Sequence, residues 1–406
     1  MSLALLWLFL SSLATAQDYP DPAFQDAEIA LQSGDLDRAR KHLERGLRKV
    51  PDHANAWADL GNVHLMQDRP DDAIAAFDSA LSIDANHYVA MNGMGVAFLK
   101  KADRINAIEW FLRSVEANGA YATPLVNLGD VGMGMGRLAE AIVYYDLAAQ
   151  ADPGNKRAAI ALADIHIAAD LPEQALPYVQ AALSRAPRDV DLLLSLASVY
   201  QAMNEDALAL DRLAAAKELE PGRREVHRYA GLSFLKLAMW PEAEAAYRAA
   251  LELDSEDRDV HFELAQVYGL SGQDVDRSME HLGYVLQLDP GFYPAMALRG
   301  DLLEEMGDLE GAVNAWDQVL VVAPGHCPTL NNLGRRRMVD GDYVAAALLF
   351  SECLASDPTF HAARLNRGAC RAKAGDCRAA LPDLEAVAKL GGTLGAQAEV
   401  LLEECR

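Results

Sequence analysis

The 406-residue sequence is poor in basic side chains. It contains 36 Lys and Arg against 60 Asp and Glu, which gives a formal net charge of -24. Because contact with nucleic-acid phosphates requires a basic surface, this charge excludes nonspecific nucleic-acid binding. The acidity is typical of a soluble protein kept apart by self-repulsion, and the alternative is that it attracts a basic partner.

After residue 16 the sequence lacks any apolar run of the roughly 20 residues that cross a bilayer. Residues 1–16 are uncharged and largely apolar, and they end in Ala14-Thr15-Ala16, a small-x-small cleavage pattern. They lack the usual Lys or Arg at the start. We predict a signal peptide over 1–16, hence an exported, periplasmic or secreted protein with no stable membrane span. The alternative is a buried N-terminal helix.

The sequence also lacks the short motifs of common enzymes: HExxH, GxSxG, the P-loop and the dinucleotide fingerprint. Two pairs of histidines recur at one spacing, His53 with His87 and His227 with His261. Each pair lacks a third metal ligand, so packing or helix capping is the favoured interpretation over a weak metal site. We therefore predict a non-enzymatic protein with no cofactor and no metal.

What the sequence does contain is small residues at a fixed interval of 34 residues. One series with a single 35-residue step is Ala27, Gly61, Gly95, Gly129, Ala163, Ala197, Gly231, Ala265, Gly300, Gly334 and Gly368. A second series in the same register begins at Ala39 and Ala73 and ends at Ala346 and Ala380. Two such series mean that two helices approach closely in every unit, and that the unit is copied along the chain.

The unit resembles the tetratricopeptide repeat, whose signature is W-x2-L-G-x2-Y, A-x3-F and a late Pro. Trp57-x2-Leu60-Gly61 and Ala73-x3-Phe77 match it. The resemblance implies an all-α, right-handed superhelical solenoid of about eleven antiparallel helix pairs. We place the array at residues 17–394, with a C-terminal capping helix at 395–406.

Two departures from the repeat predict local differences. Four glycines fall between Gly129 and Gly136, where we expect a loosened first helix more than a close backbone approach. Pro177 and Pro382 fall inside second helices, which they should kink.

In tetratricopeptide-repeat proteins, particular positions of each first helix line a concave groove. The resemblance implies that a peptide or partner protein would be bound by Asn92, Asn127, Asp130, Asn331, Asn332, Arg335 and Asn366. Asparagine suits this role because its amide can both donate to and accept from a peptide backbone. Each asparagine also has a plainer interpretation as a solvated helix residue.

A basic segment stands out against the acidic background. Residues 327–378 hold eight Lys and Arg against five acids, and three arginines, Arg364, Arg367 and Arg371, take positions that are core positions in the best-preserved repeat. Guanidinium groups there must be paired or open to solvent. Either nearby acids such as Asp383, Glu385, Glu403 and Glu404 pair with them, or this face accepts an anionic partner.

All five cysteines lie in the last fifth of the chain: Cys327, Cys353, Cys370, Cys377 and Cys405. Export would favour disulfides, and an odd number leaves one thiol. Cys377 would open the second helix of its unit and Cys405 would close the terminal helix. We predict a Cys377–Cys405 disulfide, with Cys370 as the competing partner, and we interpret Cys353 as a small buried core residue.

These observations favour a non-enzymatic scaffold that binds a peptide segment or partner protein in its groove. The alternative is a regulatory or assembly subunit of an envelope or secretion complex, acting through its outer surface and the C-terminal basic face.

Overall fold

The described part of the protein is built only from α-helices. The computed structural model describes residues 21–272 and 274–405, so the predicted signal peptide lies outside the described residues. Within those ranges there are 23 helices and no strand. This confirms the prediction of an all-α repeat solenoid.

The helices follow one another at short, regular turns. In chain order they are α1 Pro22–Gln32, α2 Leu36–Lys49, α3 Ala54–Met66, α4 Pro70–Ile83, α5 Tyr88–Lys100, α6 Arg104–Ala117, α7 Ala122–Gly134, α8 Leu138–Ala151, α9 Lys156–Ala168, α10 Pro172–Arg185, α11 Val190–Ala202, α12 Asp206–Leu219, α13 Arg224–Lys236, α14 Trp240–Leu253, α15 Arg258–Ser271, α16 Val275–Leu288, α17 Tyr293–Glu305, α18 Leu309–Val322, α19 Cys327–Val339, α20 Tyr343–Ser356, α21 His361–Lys373, α22 Cys377–Ala388 and α23 Gly392–Glu404.

Each odd-numbered helix from α1 to α21 pairs with the even-numbered helix that follows it. The small residues explain how closely the two helices pack. A Cβ atom added to Gly61 on α3 would lie 2.5 Å from the ring of Phe77 on α4, so glycine is required there. The same relation joins Gly129 on α7 to Tyr145 on α8. Glycine therefore recurs in the sequence because an aromatic ring packs directly on the helix backbone at these positions.

The chain divides into two compact units, at Pro221 and Gly222. Within each unit the core is a series of small clusters, each shared between neighbouring helices. In the first unit, for example, Ala73 and Phe77 of α4 pack with Ala90 and Met94 of α5. Each repeat therefore buries its apolar face partly against the next repeat, as stacked repeats must.

The structure bears on three local expectations. Helix α7 continues to Gly134, so the expectation of a loosened helix is wrong. Two of the four glycines, Gly129 and Gly132, serve the close approach to α8. Pro177 lies inside α10 and Pro382 inside α22, and both helices continue past the proline, so the kinks stay a prediction. The last helix begins at Gly392 rather than at residue 395, directly after Gly391, and both of these glycines take positive φ.

Candidate protein-binding face

The predicted binding residues all lie on first helices of the pairs. We call the surface formed by neighbouring first helices the odd-helix face, and describe it separately in each unit. In the first unit α3 contacts α5 and α9 contacts α11; in the second, α13 contacts α15 and α19 contacts α21. Side chains from successive repeats can therefore meet on this face, although they lie some 30 residues apart in the chain.

In the first unit, Asn92 and Asn127 are joined to each other. The Nδ2 of Asn127 on α7 donates to the Oδ1 of Asn92 on α5 at 2.9 Å. Asn92 is only 4% exposed. A buried amide needs a partner, so this bond is part of the structure that holds the third repeat to the fourth.

Asp130 continues this polar row. Its carboxylate forms an ion pair with Arg157 of the next repeat and accepts a 2.6 Å hydrogen bond from the Tyr145 hydroxyl. Arg157 also reaches back to the Oδ1 of Asn127, at 3.4 Å. Burial and the bond to Asp130 raise the pKa of Tyr145 well above its usual range, so this tyrosine stays a neutral donor.

In the second unit, Asn331 and Asn366 form the same bond as the first pair. The Nδ2 of Asn366 on α21 donates to the Oδ1 of Asn331 on α19 at 3.0 Å. In both pairs the partners are 35 residues apart, with the donor in the later repeat. Asn331 is 8% exposed, so this amide too is largely withdrawn from solvent.

Asn332 and Arg335 belong to a second small network. Asp301 on α17 accepts from the Nδ2 of Asn332 at 2.9 Å and from the Trp316 indole at 3.0 Å. Arg335 is exposed and donates to the Oδ1 of Asn332 at 3.4 Å. Burial raises the pKa of Asp301, although its two donors act in the opposite direction. Asp301 therefore anchors Asn332, and Arg335 is left with free donors at the surface.

One pair on the odd-helix face was missed by the sequence analysis. Arg228 on α13 forms a two-pronged ion pair with Glu263 on α15, with nitrogen–oxygen distances of 2.8 to 3.2 Å. The two residues are 35 apart and take the same repeat positions as the two asparagine pairs. Burial raises the pKa of Glu263 in spite of Arg228. The signal that would have found the pair is a polar residue followed 35 positions later by its complement.

The contacts leave one polar atom unused in Asn92, Asn331 and Asn366, whereas Asn127 and Asn332 use both their nitrogen and their oxygen. Asn92 and Asn331 use their carbonyl oxygens in the bonds described, and their amide nitrogens make no hydrogen bond to another described residue. Asn366 uses only its nitrogen, so its oxygen is left as an acceptor. The odd-helix face thus presents fixed amide groups with unused donors and acceptors, next to the charged Asp130, Arg157 and Arg335.

The C-terminal arginines are paired inside the protein. Arg367 grips the 7%-exposed carboxylate of Asp383 with two bonds of 2.6 and 2.8 Å, and Arg371 donates to the same carboxylate at 2.8 Å. Arg364 donates to the Pro358 carbonyl. Of the four acids considered from the sequence, Asp383 is the one that pairs with these arginines. Its position on α22 places it beside α21, which is the physical reason that the guanidinium groups of Arg367 and Arg371 fit there.

Two disulfides cross-link the second unit. One joins Cys377 to Cys405, with their Cα atoms 5.3 Å apart, and ties α22 to the end of α23. The other joins Cys327 to Cys353, so the interpretation of Cys353 as a simple core residue is wrong. Both of its cysteines are buried where α19 faces α20, and the repeat register alone does not show that two core cysteines meet. Cys370 is the free thiol, and burial raises its pKa to about 11.

The histidines act in capping and packing. The Nδ1 atoms of His53 and His87 accept from backbone N–H groups at the starts of α3 and α5. His261 bonds to His281, at 2.8 Å between Nδ1 atoms. Among the residues that the structure describes, no three metal-ligating side chains gather into one group, and none of the helices is long and apolar enough to span a bilayer.

Comparison with known proteins agrees with the geometry. Tetratricopeptide-repeat family models match residues 24–88, 229–291 and 133–176. The chain is a tetratricopeptide-repeat protein.

Two curated relatives match most of this repeat array at low identity. Tetratricopeptide repeat protein 21A of Homo sapiens is 24% identical over 336 residues, which cover 76% of this chain and 25% of that protein. Cellulose synthase operon protein C of Xanthomonas axonopodis pv. citri is 25% identical over 342 residues, covering 79% of this chain and 22% of that protein. The chain spans about a quarter of the length of these relatives.

Solved tetratricopeptide-repeat structures share the fold. Yeast Tom70 superposes with a TM-score of 0.51 at 12% identity, over 94% of each chain. The APC/C hetero-tetramer Cut9–Hcn1 gives a TM-score of 0.52 at 14% identity, over 98% of this chain and 96% of that chain. Tetratricopeptide-repeat proteins generally mediate protein–protein interactions, and their scaffold is typically non-enzymatic.

Proposed function

We propose that this protein is a non-enzymatic scaffold that binds an extended peptide segment of a partner protein on the odd-helix face. The observation that carries the proposal is the pair of asparagine contacts, Asn92 with Asn127 and Asn331 with Asn366. Each contact fixes the orientation of two amides and leaves donors or acceptors unused.

The fixed amides suit a peptide backbone better than a small molecule. An extended peptide presents alternating N–H and C=O groups, and each amide group can match one of them. Because the asparagines are already held by their neighbours, little side-chain entropy is lost when the peptide binds. Asp130 with Arg157 in the first unit, and Arg335 in the second, would then select charged side chains of the peptide.

The test uses a displayed library of short random peptides and the full chain. We expect peptides selected on the wild-type protein to bind at least about tenfold more weakly to N331A/N332A/R335A/N366A, a loss of about 1.4 kcal/mol. The matched control is Q287A/N314A, which truncates two exposed polar residues on the even helices α16 and α18 of the same unit. Circular dichroism melting shows that each variant is folded.

Two results would decide against this site. Equal affinity in the quadruple variant and the wild type would remove the assignment in the second unit, and equal affinity in N92A/N127A would remove it in the first. Weaker binding in the even-helix control alone would place recognition on the outer surface.

That last outcome would favour the second candidate function, a regulatory or assembly subunit of an exported envelope or secretion complex. It would act through outer surfaces and the C-terminal arginines, which keep part of their guanidinium surface exposed beside Asp383. A pull-down from an envelope extract with R364A/R371A would test it: a partner lost from this variant and retained by N331A/N332A/R335A/N366A supports the second candidate.

A further inference from the structure

Helix α2 is basic, whereas the protein as a whole is acidic. It carries six basic and two acidic residues, in a chain whose net charge is -24. Its apolar stripe, Ala39, Leu43 and Leu47, is buried in the first repeat. The opposite side of the helix is therefore a basic surface.

Four of the basic side chains form a continuous ridge. Arg38, Lys41, Arg45 and Arg48 are spaced by three or four residues, which places them along one side of a helix, and all four are exposed. We call these four residues the α2 ridge.

Three carboxylates near the ridge form ion pairs with basic residues outside it. Glu44 and Asp37 pair with Arg40, at 2.7 and 3.9 Å. Asp21 forms an ion pair with Lys49 at 2.8 Å, and the charge of Arg45 helps to lower the pKa of Asp21. The Nε of Arg38 donates to the Nε2 of His42, at 3.5 Å. Within the described residues, no carboxylate forms an ion pair with any member of the α2 ridge.

The shape of this surface decides which anionic partner fits. The four cations of the α2 ridge follow one another along one side of a single helix. A flat surface can contact all four cations at once. Clusters of four or more Lys and Arg on one helix side are typical of segments that bind anionic lipid surfaces.

We propose that the α2 ridge docks the protein on an anionic phospholipid surface. Each basic residue close to such a surface strengthens binding about fivefold at low salt. The acidic remainder of the chain is repelled by the same surface, so the ridge also sets which end of the protein faces the bilayer. This inference is independent of peptide binding on the odd-helix face.

The test is flotation of the full chain with vesicles of phosphatidylglycerol and phosphatidylcholine. Vesicles of phosphatidylcholine alone measure any contribution of the apolar N-terminal residues. We expect binding to the anionic vesicles to fall about a hundredfold in K41E/R45E/R48E, and to fall in the wild type as salt shortens the Debye length from about 10 Å to about 3 Å.

The matched control is R104E/R188E/K217E. It changes the net charge by the same amount, at three exposed cations of the first unit that form no ion pair in the described chain. This control should retain the anionic-vesicle binding, and K41R/R45K/R48K should restore it in the ridge. Melting curves show whether each variant is folded.

Several outcomes would overturn the proposal. These are no preference of the wild type for anionic vesicles, equal losses in the ridge and control variants, or a ridge that binds polyglutamate or an oligonucleotide while the vesicles stay unbound. Binding of polyglutamate would assign the ridge to an acidic protein instead, and binding of the oligonucleotide would assign it to nucleic acid.

Discussion

The two units contain the same repeat, yet they treat a tyrosine at the same repeat position in opposite ways. Tyr145 in the first unit and Tyr247 in the second both pack their rings on a glycine of the preceding helix. The hydroxyl of Tyr145 bonds to Asp130, 15 residues earlier. The residue 15 positions before Tyr247 is Leu232, which offers no acceptor. The buried hydroxyl of Tyr247 has no hydrogen-bond partner in the described structure.

A third repeat shows that an acid 15 residues before the aromatic residue provides its hydrogen-bond acceptor. Trp316 occupies the same position as the two tyrosines, and its indole donates to Asp301, again 15 residues earlier. A polar aromatic on the second helix is therefore satisfied when the residue just after the first-helix glycine is an acid. The position of a residue within the repeat, rather than its neighbours in the sequence, therefore decides what its side chain contacts.

Cross-linking is the second difference between the units, and it gives the largest predicted effect. Reduction should open Cys327–Cys353 and Cys377–Cys405 and lower the stability of the second unit by about 3 kcal/mol for each loop. Hydrogen exchange should then accelerate in α19 to α23 and stay unchanged in α3 to α6. Before reduction, the denatured protein should titrate one thiol, that of Cys370.

Equal acceleration in both units would contradict the assignment of the cross-links to the second unit. Five titratable thiols in the unreduced, denatured protein would contradict the disulfides themselves.

The ring-on-glycine contact is common to both units, so its removal should cost the same in each. An alanine Cβ at Gly129 or Gly231 would lie 2.5 or 2.6 Å from the tyrosine ring. We expect G129A and G231A each to lower stability by about 1–3 kcal/mol through overpacking. The control is G134A, where nothing lies within 4 Å of the new atom.

G134A should raise helix stability by up to about 1 kcal/mol, because alanine replaces glycine without a clash. Urea unfolding of the three variants measures both effects. Stabilisation by G129A would show that the close approach is not required there.

The helix pairs and their register could be predicted because they depend on local patterns. Gly61 and Phe77 sit within one repeat, and their 34-residue recurrence is visible in the sequence. The partners of the predicted binding residues could not be predicted in this way. Arg157 and Asp301 lie in the repeats next to those of Asp130 and Asn332, so these contacts depend on the rotation from one repeat to the next.

Of the two disulfides, one could likewise be predicted from the sequence and the other could not. Cys377 and Cys405 mark the ends of two adjacent helices, which the sequence can suggest. Cys327 and Cys353 are buried side chains within one repeat, and only their orientations show that they meet.

If repeat position sets the partner of each side chain, removing the hydroxyl from Tyr145 and from Tyr247 should have opposite effects on stability. Local stability from hydrogen exchange should fall by about 1 kcal/mol around α8 in Y145F, which loses the bond to Asp130. It should rise by a similar amount around α14 in Y247F, which removes a buried hydroxyl that has no partner. Changes of the same sign in the two variants would contradict the account.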